Sequence, residues 1–318
     1  MARWHPPGPW SRLQAARVLG DADVAEALGV CAQDPVGSVL AASRIVEATR
    51  LSHSGGQVWG FPAQGPLVAI CWAGANLVPV VPSQGADRAE ALDAFAALAR
   101  RFGRRASSIV GERAAALGLW DRLAEHWPAA RDIRDDQPSL MIDRAPDVDP
   151  DPAVRRSVPA ELPLVLPACV RMFVEEVGYS PVAAGGNAYA DRVRGLITSG
   201  RSFVRVDGAA AASPPTPGTG APLVGAPSGG HVTERVVVFK AEIGAVTPEV
   251  AQVQGVWVDP RFRGRRLSES GMAAVVEITR REIAPVVSLY VNAYNERALA
   301  TYRRVGFEQV GTFATVLF

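Results

Sequence analysis

The chain has 318 residues, of which 48% are hydrophobic and 20% charged, and this is enough apolar material for two ordinary globular domains. Thirty-three Lys and Arg against thirty-two Asp and Glu leave a formal net charge of +1. That balance excludes the broad positive field typical of proteins that bind nucleic acid or anionic membranes, so any anion site must be local.

Short sequence signals indicate the cellular location of the protein, its metal binding and the state of its cysteines. The start, MARWHPPGPWSR, has no apolar segment after its early Arg, and no run approaches the ~20 apolar residues of a membrane span. We therefore expect a cytoplasmic protein without a membrane partner. The four histidines are scattered without metal-ligand spacing, so no metal site is expected. Cys31, Cys71 and Cys169 are far apart in apolar surroundings and are predicted to be reduced core thiols.

The first half of the chain, residues 11–144, alternates helical and strand-like stretches. Apolar residues recur at helical spacing over residues 21–45, and residues 86–103 and 113–126 are predicted as further helices. Strands are predicted over QVWGFP, PLVAICWAG, NLVPVVP and QPSLMID. This half is α/β, but it has no glycine-rich phosphate loop.

A change of composition marks a boundary at residues 145–153. Their sequence, APDVDPDPA, combines three prolines with three acids, which favours an exposed linker between two domains. In the second domain, residues 154–318, the predicted elements are the strand AVRRSV, the helices ELPLVLPACVRMFVEEVG and NAYADRVRGLITSG, and the strands SFVRVDG, RVVVFKAEIG and EVAQVQGVWV. Residues 208–230 have almost nothing to bury and are predicted to form a flexible loop.

The stretch VDPRFRGRRLSESGMAAVV predicts an anion site. A strand that ends at Val258, a proline turn and a helix that begins near Arg266 or Leu267 leave the first backbone N–H groups of that helix without partners. The helix dipole adds partial positive charge there, and Gly264 lets the backbone approach a phosphate closely. Four arginines supplement this charge: Arg261, Arg263, Arg265 and Arg266. The alternative is a solvated cationic turn that caps an ordinary helix.

The segment that follows this helix, VVSLYVNAYNERALATYRRVGF, predicts a strand, a turn and a second helix. The strand covers residues 286–291 and the helix residues 296–304, and Gly306 then stops the helix before a final strand that ends FATVLF.

Two motifs in this order resemble the GNAT superfamily of N-acetyltransferases. VWVDPRFRGRRLSESGMAAVV resembles its acyl-coenzyme A loop, and LYVNAYNERALATYRRVGF resembles its next motif, with Asn, Ala, Tyr and Gly-Phe. The resemblance implies a GNAT domain over residues 154–318 and, from the similar element order, a degenerate GNAT-like domain over residues 11–144. The implied fold is α/β (α+β), with tandem GNAT-like domains, each a mixed, mainly antiparallel sheet flanked by helices.

The resemblance also implies which residues bind the coenzyme. The loop whose amides hold the pyrophosphate corresponds to Arg261, Arg263, Gly264, Arg265, Arg266, Leu267 and Ser268. The strand that contacts the pantetheine arm corresponds to Val256, Trp257 and Val258, and the later motif adds Asn292, Asn295, Ala298 and Tyr302. In the family the last loop position is a small residue, whereas Arg266 stands here. Its side chain could point outward over the phosphates and help, or crowd the turn and weaken binding.

Acetyl transfer to an amine needs a neutral nucleophile, stabilisation of the developing negative oxygen and a proton for the leaving thiolate. The family implies a backbone N–H near Val256 for the oxygen and Tyr302 for the proton. The alternative for Tyr302 is a core aromatic beside Phe307. Gln252 stands where many relatives carry Glu, and it cannot accept a proton. It could orient a water, which leaves Glu242 or Glu249 as a distant base.

The resemblance therefore implies an acyltransferase that moves acetyl from acetyl-CoA, its co-substrate, to a primary amine by direct attack. The acceptor would be a small-molecule or peptide amine. Arg266 and the missing Glu leave open a second function, an acyl-CoA-binding regulatory or interaction module with weak turnover. The charge balance argues against a nucleic-acid partner.

Overall fold

The computed structural model describes residues 15–50, 55–81, 86–182, 187–210 and 233–318. Most of the loop predicted for residues 208–230 lies outside this part of the chain. The chain forms two compact units. Unit 1 comprises Met1–Asp147, Ile243–Gln254 and Val276–Phe318, and unit 2 comprises Val148–Glu242 and Gly255–Val275. The chain first passes from unit 1 to unit 2 inside the predicted linker, and residues of the predicted second domain belong to both units.

The first segment of unit 1 follows most of the sequence pattern. Its elements are β1 (Arg17–Val18), α1 (Val24–Cys31), α2 (Pro35–Arg50), β2 (Gln57–Phe61), β3 (Ala69–Ala73), β4 (Asn76–Val80), α3 (Ala86–Phe102), β5 (Ser108–Glu112), α4 (Arg113–Leu123) and β6 (Asp132–Ile142). The helical pattern over residues 21–45 is divided into two helices, because Pro35 has no backbone N–H to donate and instead starts a new helix. Strand β5 was not predicted, since its sequence, SIVGE, shows no clear alternation of apolar and polar residues.

The later segments complete unit 1 with strands and helices that lie elsewhere in the sequence. They contain the whole of β11 (Val286–Tyr290), α8 (Glu296–Val305) and β12 (Glu308–Leu317). They also contain the first part of β10 (Val250–Val258), up to Gln254, and the last part of α7 (Leu267–Glu282), from Val276. The strand order in this unit is β1-β2-β3-β4-β5-β12-β6-β11-β10. The C-terminal strand β12 therefore lies between β5 and β6 and is antiparallel to both. The hydrophobic core of unit 1 includes Trp59, Phe95, Leu119 and Val316.

Unit 2 is built on the antiparallel strands β7 (Arg155–Arg156), β8 (Ser202–Ala210) and β9 (Thr233–Val246), the last four residues of which belong to unit 1. Its helices are α5 (Leu162–Val177), α6 (Ala188–Thr198) and the first part of α7. Helices α5 and α6 pack on one face in an apolar cluster with Val204 and Val237. A side chain at Gly271 of α7 would come within 2.8 Å of Phe239, so the small residue allows α7 to pack closely on the strand.

The pairing of the described strands is mixed and mainly antiparallel, and helices flank the strands, as predicted. Strand pairs β4–β5 and β10–β11 are parallel. In the part of the chain that the structure describes, no helix combines the length and the hydropathy needed to cross a membrane.

Candidate functional site

The backbone between β10 and α7 carries a row of unpaired donors. Within the described residues, nothing accepts a hydrogen bond from the five consecutive backbone N–H groups of Gly264 to Ser268. Helix α7 begins at Leu267, so these groups include the first donors of its N-terminus. Such groups, with the positive end of the helix dipole, bind phosphate and carboxylate oxygens.

Two residues of this loop have left-handed backbone conformations. Gly264 has a φ of +80° and no atom within 4 Å of the place where a Cβ would stand. Arg266 has a φ of +57° and is the one residue other than Gly with a positive φ in the described ranges. This conformation costs a non-Gly residue about 1 kcal/mol. The Arg266 side chain is exposed.

Asp259 fixes the start of the loop. Its Oδ1 accepts hydrogen bonds from the Arg261 backbone N–H and Nε, both at 3.0 Å, and its Oδ2 accepts from Nη2 at 2.8 Å. The hydrogen bond from the Arg261 guanidinium lowers the pKa of Asp259 below its ordinary value. The carboxylate is nearly fully buried. Its hydrogen bonds fix the short turn Pro260–Phe262 and pair it with Arg261, one of the four loop arginines.

Glu175 of helix α5 holds the loop from the other side. Its Oε1 accepts from Trp257 Nε1 at 3.2 Å, and its Oε2 accepts from Arg263 Nη2 at 2.6 Å. Arg263 Nε also donates to the Val258 carbonyl at 3.0 Å. Arg263 is therefore tied to α5 and β10, while the Arg265 guanidinium stands 5.3 Å from the centre of the Phe262 ring. Sequence reasoning did not identify this role for Glu175, because the two residues are 88 positions apart.

The strand before the loop has a bend at Gly255. Strand β10 pairs with β11 at three positions, Val250 to Gln252, and Gly255 then has a φ of +59°. On its other edge β11 pairs with β6 over Val287–Tyr290, so Leu289 and Tyr290 have a partner strand in β6 and no recorded register with β10. Beyond the bend, Val256, Trp257 and Val258 lead into the loop, and Trp257 is buried against α5 and α6.

Glu242 lies in a buried polar cluster of unit 2. Its Oε1 is 2.7 Å from Lys240 Nζ and accepts from the Cys169 thiol at 3.3 Å, and its Oε2 is 3.6 Å from Arg192 Nη1. Burial by itself raises the pKa of Glu242, but the charges of Lys240 and Arg192 outweigh that effect, and the pKa lies below its ordinary value. A carboxylate in this state is a weak proton acceptor, and the contacts favour a role as counterion.

The second predicted motif lies in unit 1. Asn295 caps α8, and its Oδ1 accepts from the Ala298 backbone N–H at 3.2 Å. Tyr302 is 7% exposed, and its ring lies 5.9 Å from that of Phe307 in an edge-on contact. Gln252 is also buried in this unit.

Strand β6 supports Asn292 through residues that sequence reasoning missed. Gln137 Nε2 donates to Asn292 Oδ1 at 2.8 Å, and Gln137 Oε1 accepts from Thr315 Oγ1 at 2.7 Å. Asn292 Nδ2 donates to the Tyr294 hydroxyl at 2.8 Å. Gln137 is buried and precedes Asn292 by 155 residues, so no local pattern could have indicated the pair.

The predicted site residues fall into two sets. Unit 2 contains Val256, Trp257, Val258, Arg263, Gly264, Arg265, Arg266, Leu267, Ser268 and Glu242. Unit 1 contains Gln252, Asn292, Asn295, Ala298 and Tyr302. Within unit 2, the loop directly follows the end of β10, and Glu242 lies in the buried cluster beside Lys240.

Two family models match the chain. Residues 218–307 match the acetyltransferase (GNAT) family, and residues 56–165 match a domain of unknown function, DUF4081. The first match contains the loop and the motif that ends at Phe307.

Curated relatives match shorter segments. The N-alpha-acetyltransferase RimI of Mycobacterium tuberculosis is 34% identical over 88 residues, which are 28% of this chain and 52% of that protein. The mycothiol acetyltransferase of Brachybacterium faecium is 39% identical over 75 residues, 24% of this chain and 23% of that protein. The chain thus spans about half or less of the length of these relatives.

A solved structure extends the likeness of fold to most of the chain. A tandem GNAT protein from the clavulanic acid biosynthesis pathway has a TM-score of 0.50 and 14% sequence identity, with 95% of this chain and 98% of that chain covered.

Proposed function

We propose that this chain, in which residues 218–307 match the GNAT acetyltransferase family, is an acyltransferase that moves acetyl from acetyl-CoA to a primary amine. The matched relatives are named for acetyl transfer, and the loop has the chemistry that a diphosphate requires. The acceptor is a small-molecule or peptide amine.

One observation carries this proposal. The N–H groups of residues 264–268 lack acceptors among the described residues, and the space above Gly264 is open. A diphosphate supplies several anionic oxygens to such a row of donors without a large rearrangement. The exposed Arg265 and Arg266 add charge at the same end of α7.

The roles of the chain's residues follow from the needs of the transfer. Acetyl-CoA supplies an acetyl thioester, whose carbonyl oxygen gains negative charge as the amine attacks. The Val256 backbone N–H stabilises that oxygen, and Tyr302 supplies the proton for the thiolate. Gln252 orients a water that receives the amine proton, and Glu242 acts as the counterion of Lys240.

The loop is tested with two nearly isosteric variants, Gly264→Asp and Gly264→Asn. Asp and Asn both tolerate the left-handed conformation at this position, so the two variants differ mainly in charge. We expect Gly264→Asp to bind coenzyme A about tenfold or more weakly than Gly264→Asn, because a carboxylate then faces the diphosphate. Isothermal titration calorimetry measures both dissociation constants.

Equal affinities of the two variants would place the diphosphate elsewhere and contradict the proposed loop. Catalysis is tested separately by thiol release from acetyl-CoA with a peptide that has a free α-amine and with a panel of small amines. Saturable binding of acetyl-CoA without thiol release with any of the amines would contradict the acetyltransferase activity and favour the acyl-CoA-binding regulatory or interaction module.

A further inference from the structure

Lys240 is a fully buried cation whose ammonium group contacts a backbone carbonyl. Its side chain is 0% exposed, and its Nζ forms an ion pair with Glu242 Oε1 at 2.7 Å. The same Nζ donates to the Gly255 carbonyl oxygen at 3.0 Å and to Met172 Sδ at 3.4 Å. The three N–H bonds of an ammonium group thus have three partners, one of which belongs to the bend in β10.

The carbonyl that Lys240 contacts belongs to the peptide group that Gly255 shares with Val256. This peptide bond is trans, since the cis bond recorded in the described residues is Phe61–Pro62. In a planar trans peptide the C=O and the N–H point in opposite directions. The Val256 N–H therefore points away from the Lys240 ammonium group, on the other side of the same conjugated unit.

A cation at the carbonyl oxygen of a peptide draws electron density toward that oxygen and makes the N–H of the same unit a stronger donor. The low dielectric of a buried site strengthens this effect. Gly255 permits the required arrangement, because its φ of +59° suits a residue without a side chain. A Cβ there would stand 3.2 Å from Lys240 Nζ and 3.2 Å from Met172 Sδ.

We propose that Lys240 is a positioning residue for acetyl transfer: its ammonium group orients and polarises the Gly255–Val256 peptide, so that the Val256 N–H stabilises the negative oxygen of the reacting carbonyl. This inference rests on the proposed acetyltransferase function. Stability alone does not require the pair, because a buried Lys–Glu pair contributes little more than apolar residues of similar volume. The hydrogen bond from the Lys240 ammonium group to the Gly255 carbonyl instead favours a role in orienting that peptide group.

The polarisation is tested without substrate by nuclear magnetic resonance. The sequence contains the dipeptide Gly-Val at two places, Gly29–Val30 and Gly255–Val256. Labelling Gly with ¹³C at the carbonyl and Val with ¹⁵N therefore yields two correlated signals. The double variant Lys240→Met, Glu242→Gln removes the ion pair without leaving a lone buried charge. We expect the ¹³C and ¹⁵N signals of Gly255–Val256 to move upfield, while Gly29–Val30 in α1 serves as the internal reference.

The catalytic consequence is tested by steady-state kinetics on the same double variant. We expect kcat to fall roughly tenfold or more, with the dissociation constant of coenzyme A unchanged, because Lys240 acts on the reacting carbonyl and not on the diphosphate. Met172→Leu is the matched control. It removes the weak sulfur acceptor of the ammonium group but keeps the ion pair with Glu242 and the contact with Gly255, so its kcat should stay within about threefold of the unmodified protein.

An unmoved Gly255–Val256 signal, or an unchanged kcat in the double variant, overturns the inference and leaves the acetyltransferase function intact. Absence of acetyl transfer by the unmodified protein overturns the function and, with it, the catalytic role of Lys240. If that double variant does not fold, the double variant Lys240→Gln, Glu242→Gln replaces it with the same expectations, since it keeps an N–H donor at position 240 but leaves no buried charge.

Discussion

Tyr302 shows how one residue satisfies both a structural and a catalytic interpretation. Its ring is buried on α8 and meets Phe307 edge-on at 5.9 Å, the contact expected of a core aromatic. Its backbone carbonyl accepts from Phe307 N–H at 3.0 Å, which fixes the end of the helix. These contacts hold the ring in one orientation, and a fixed hydroxyl is also what proton transfer requires.

The variant Tyr302→Phe separates these roles because it removes the hydroxyl and keeps the ring. We expect kcat to fall about tenfold or more, the low end of what a general acid contributes, with little change in coenzyme affinity. Phe307→Leu is the control, since it removes the edge-on contact and leaves the hydroxyl. Small and equal effects of both variants on kcat would contradict the proton-donor role and leave Tyr302 with a structural role in the core.

At the scale of elements, strand β6 supports the turn after β11. Besides the contact of Gln137 with Asn292, the backbone N–H of Ala293 donates to the Asp136 carbonyl at 3.0 Å, and that of Val291 donates to the Pro138 carbonyl at 3.2 Å. A strand from the first half of the chain therefore holds the motif that the sequence identified in the second half.

We expect Gln137→Met to lower the free energy of unfolding by about 1–3 kcal/mol, because it leaves the polar groups of Asn292 and Thr315 without their buried partner. Urea denaturation monitored by tryptophan fluorescence measures the change. Combining Gln137→Met with Thr315→Val should cost less than the sum of the two single variants, since both remove one shared hydrogen bond. Strict additivity would show that the hydrogen bond does not form in solution.

At the scale of the whole molecule, β12 joins the last strand of the chain to strands of its first half within unit 1. Residues Phe313–Leu317 pair with β5, and Glu308–Leu317 pair with β6. The rings of Trp120 and Trp127 each lie 5.5 Å from that of Phe318. The predicted division at residues 144 and 154 remains a prediction about sequence segments, whereas unit 1 takes residues from both sides of it.

A chain that ends at Gly306 should therefore lose the cooperative unfolding of unit 1, because β5 and β6 each lose a partner strand. The tryptophan emission should shift to longer wavelength as Trp120 and Trp127 become hydrated. The variant Phe318→Leu, which keeps β12, should retain a cooperative transition. A truncated protein with native emission and an unchanged transition would show that β12 is dispensable for the first half of the chain.

Local spacing determined most of the helices and strands, because their periods and their Pro and Gly boundaries lie within a few residues. The same holds for the loop: its arginines, Gly264 and the start of α7 are contiguous, so the unpaired N–H groups followed from the order of elements. Strand β5 was missed because SIVGE does not alternate apolar and polar residues, and the division of the first helix was missed because a single proline interrupts the helical pattern only weakly.

Tertiary structure alone decided which distant residues meet. Three contacts join separate elements, and no local period encodes them: Gln137 with Asn292, Glu175 with Arg263, and the Lys240 ammonium group with the Gly255 carbonyl. The position of β12 between β5 and β6 belongs to the same class. Strand pairing over such separations depends on the burial of whole faces and on loop closure, which a single sequence does not display.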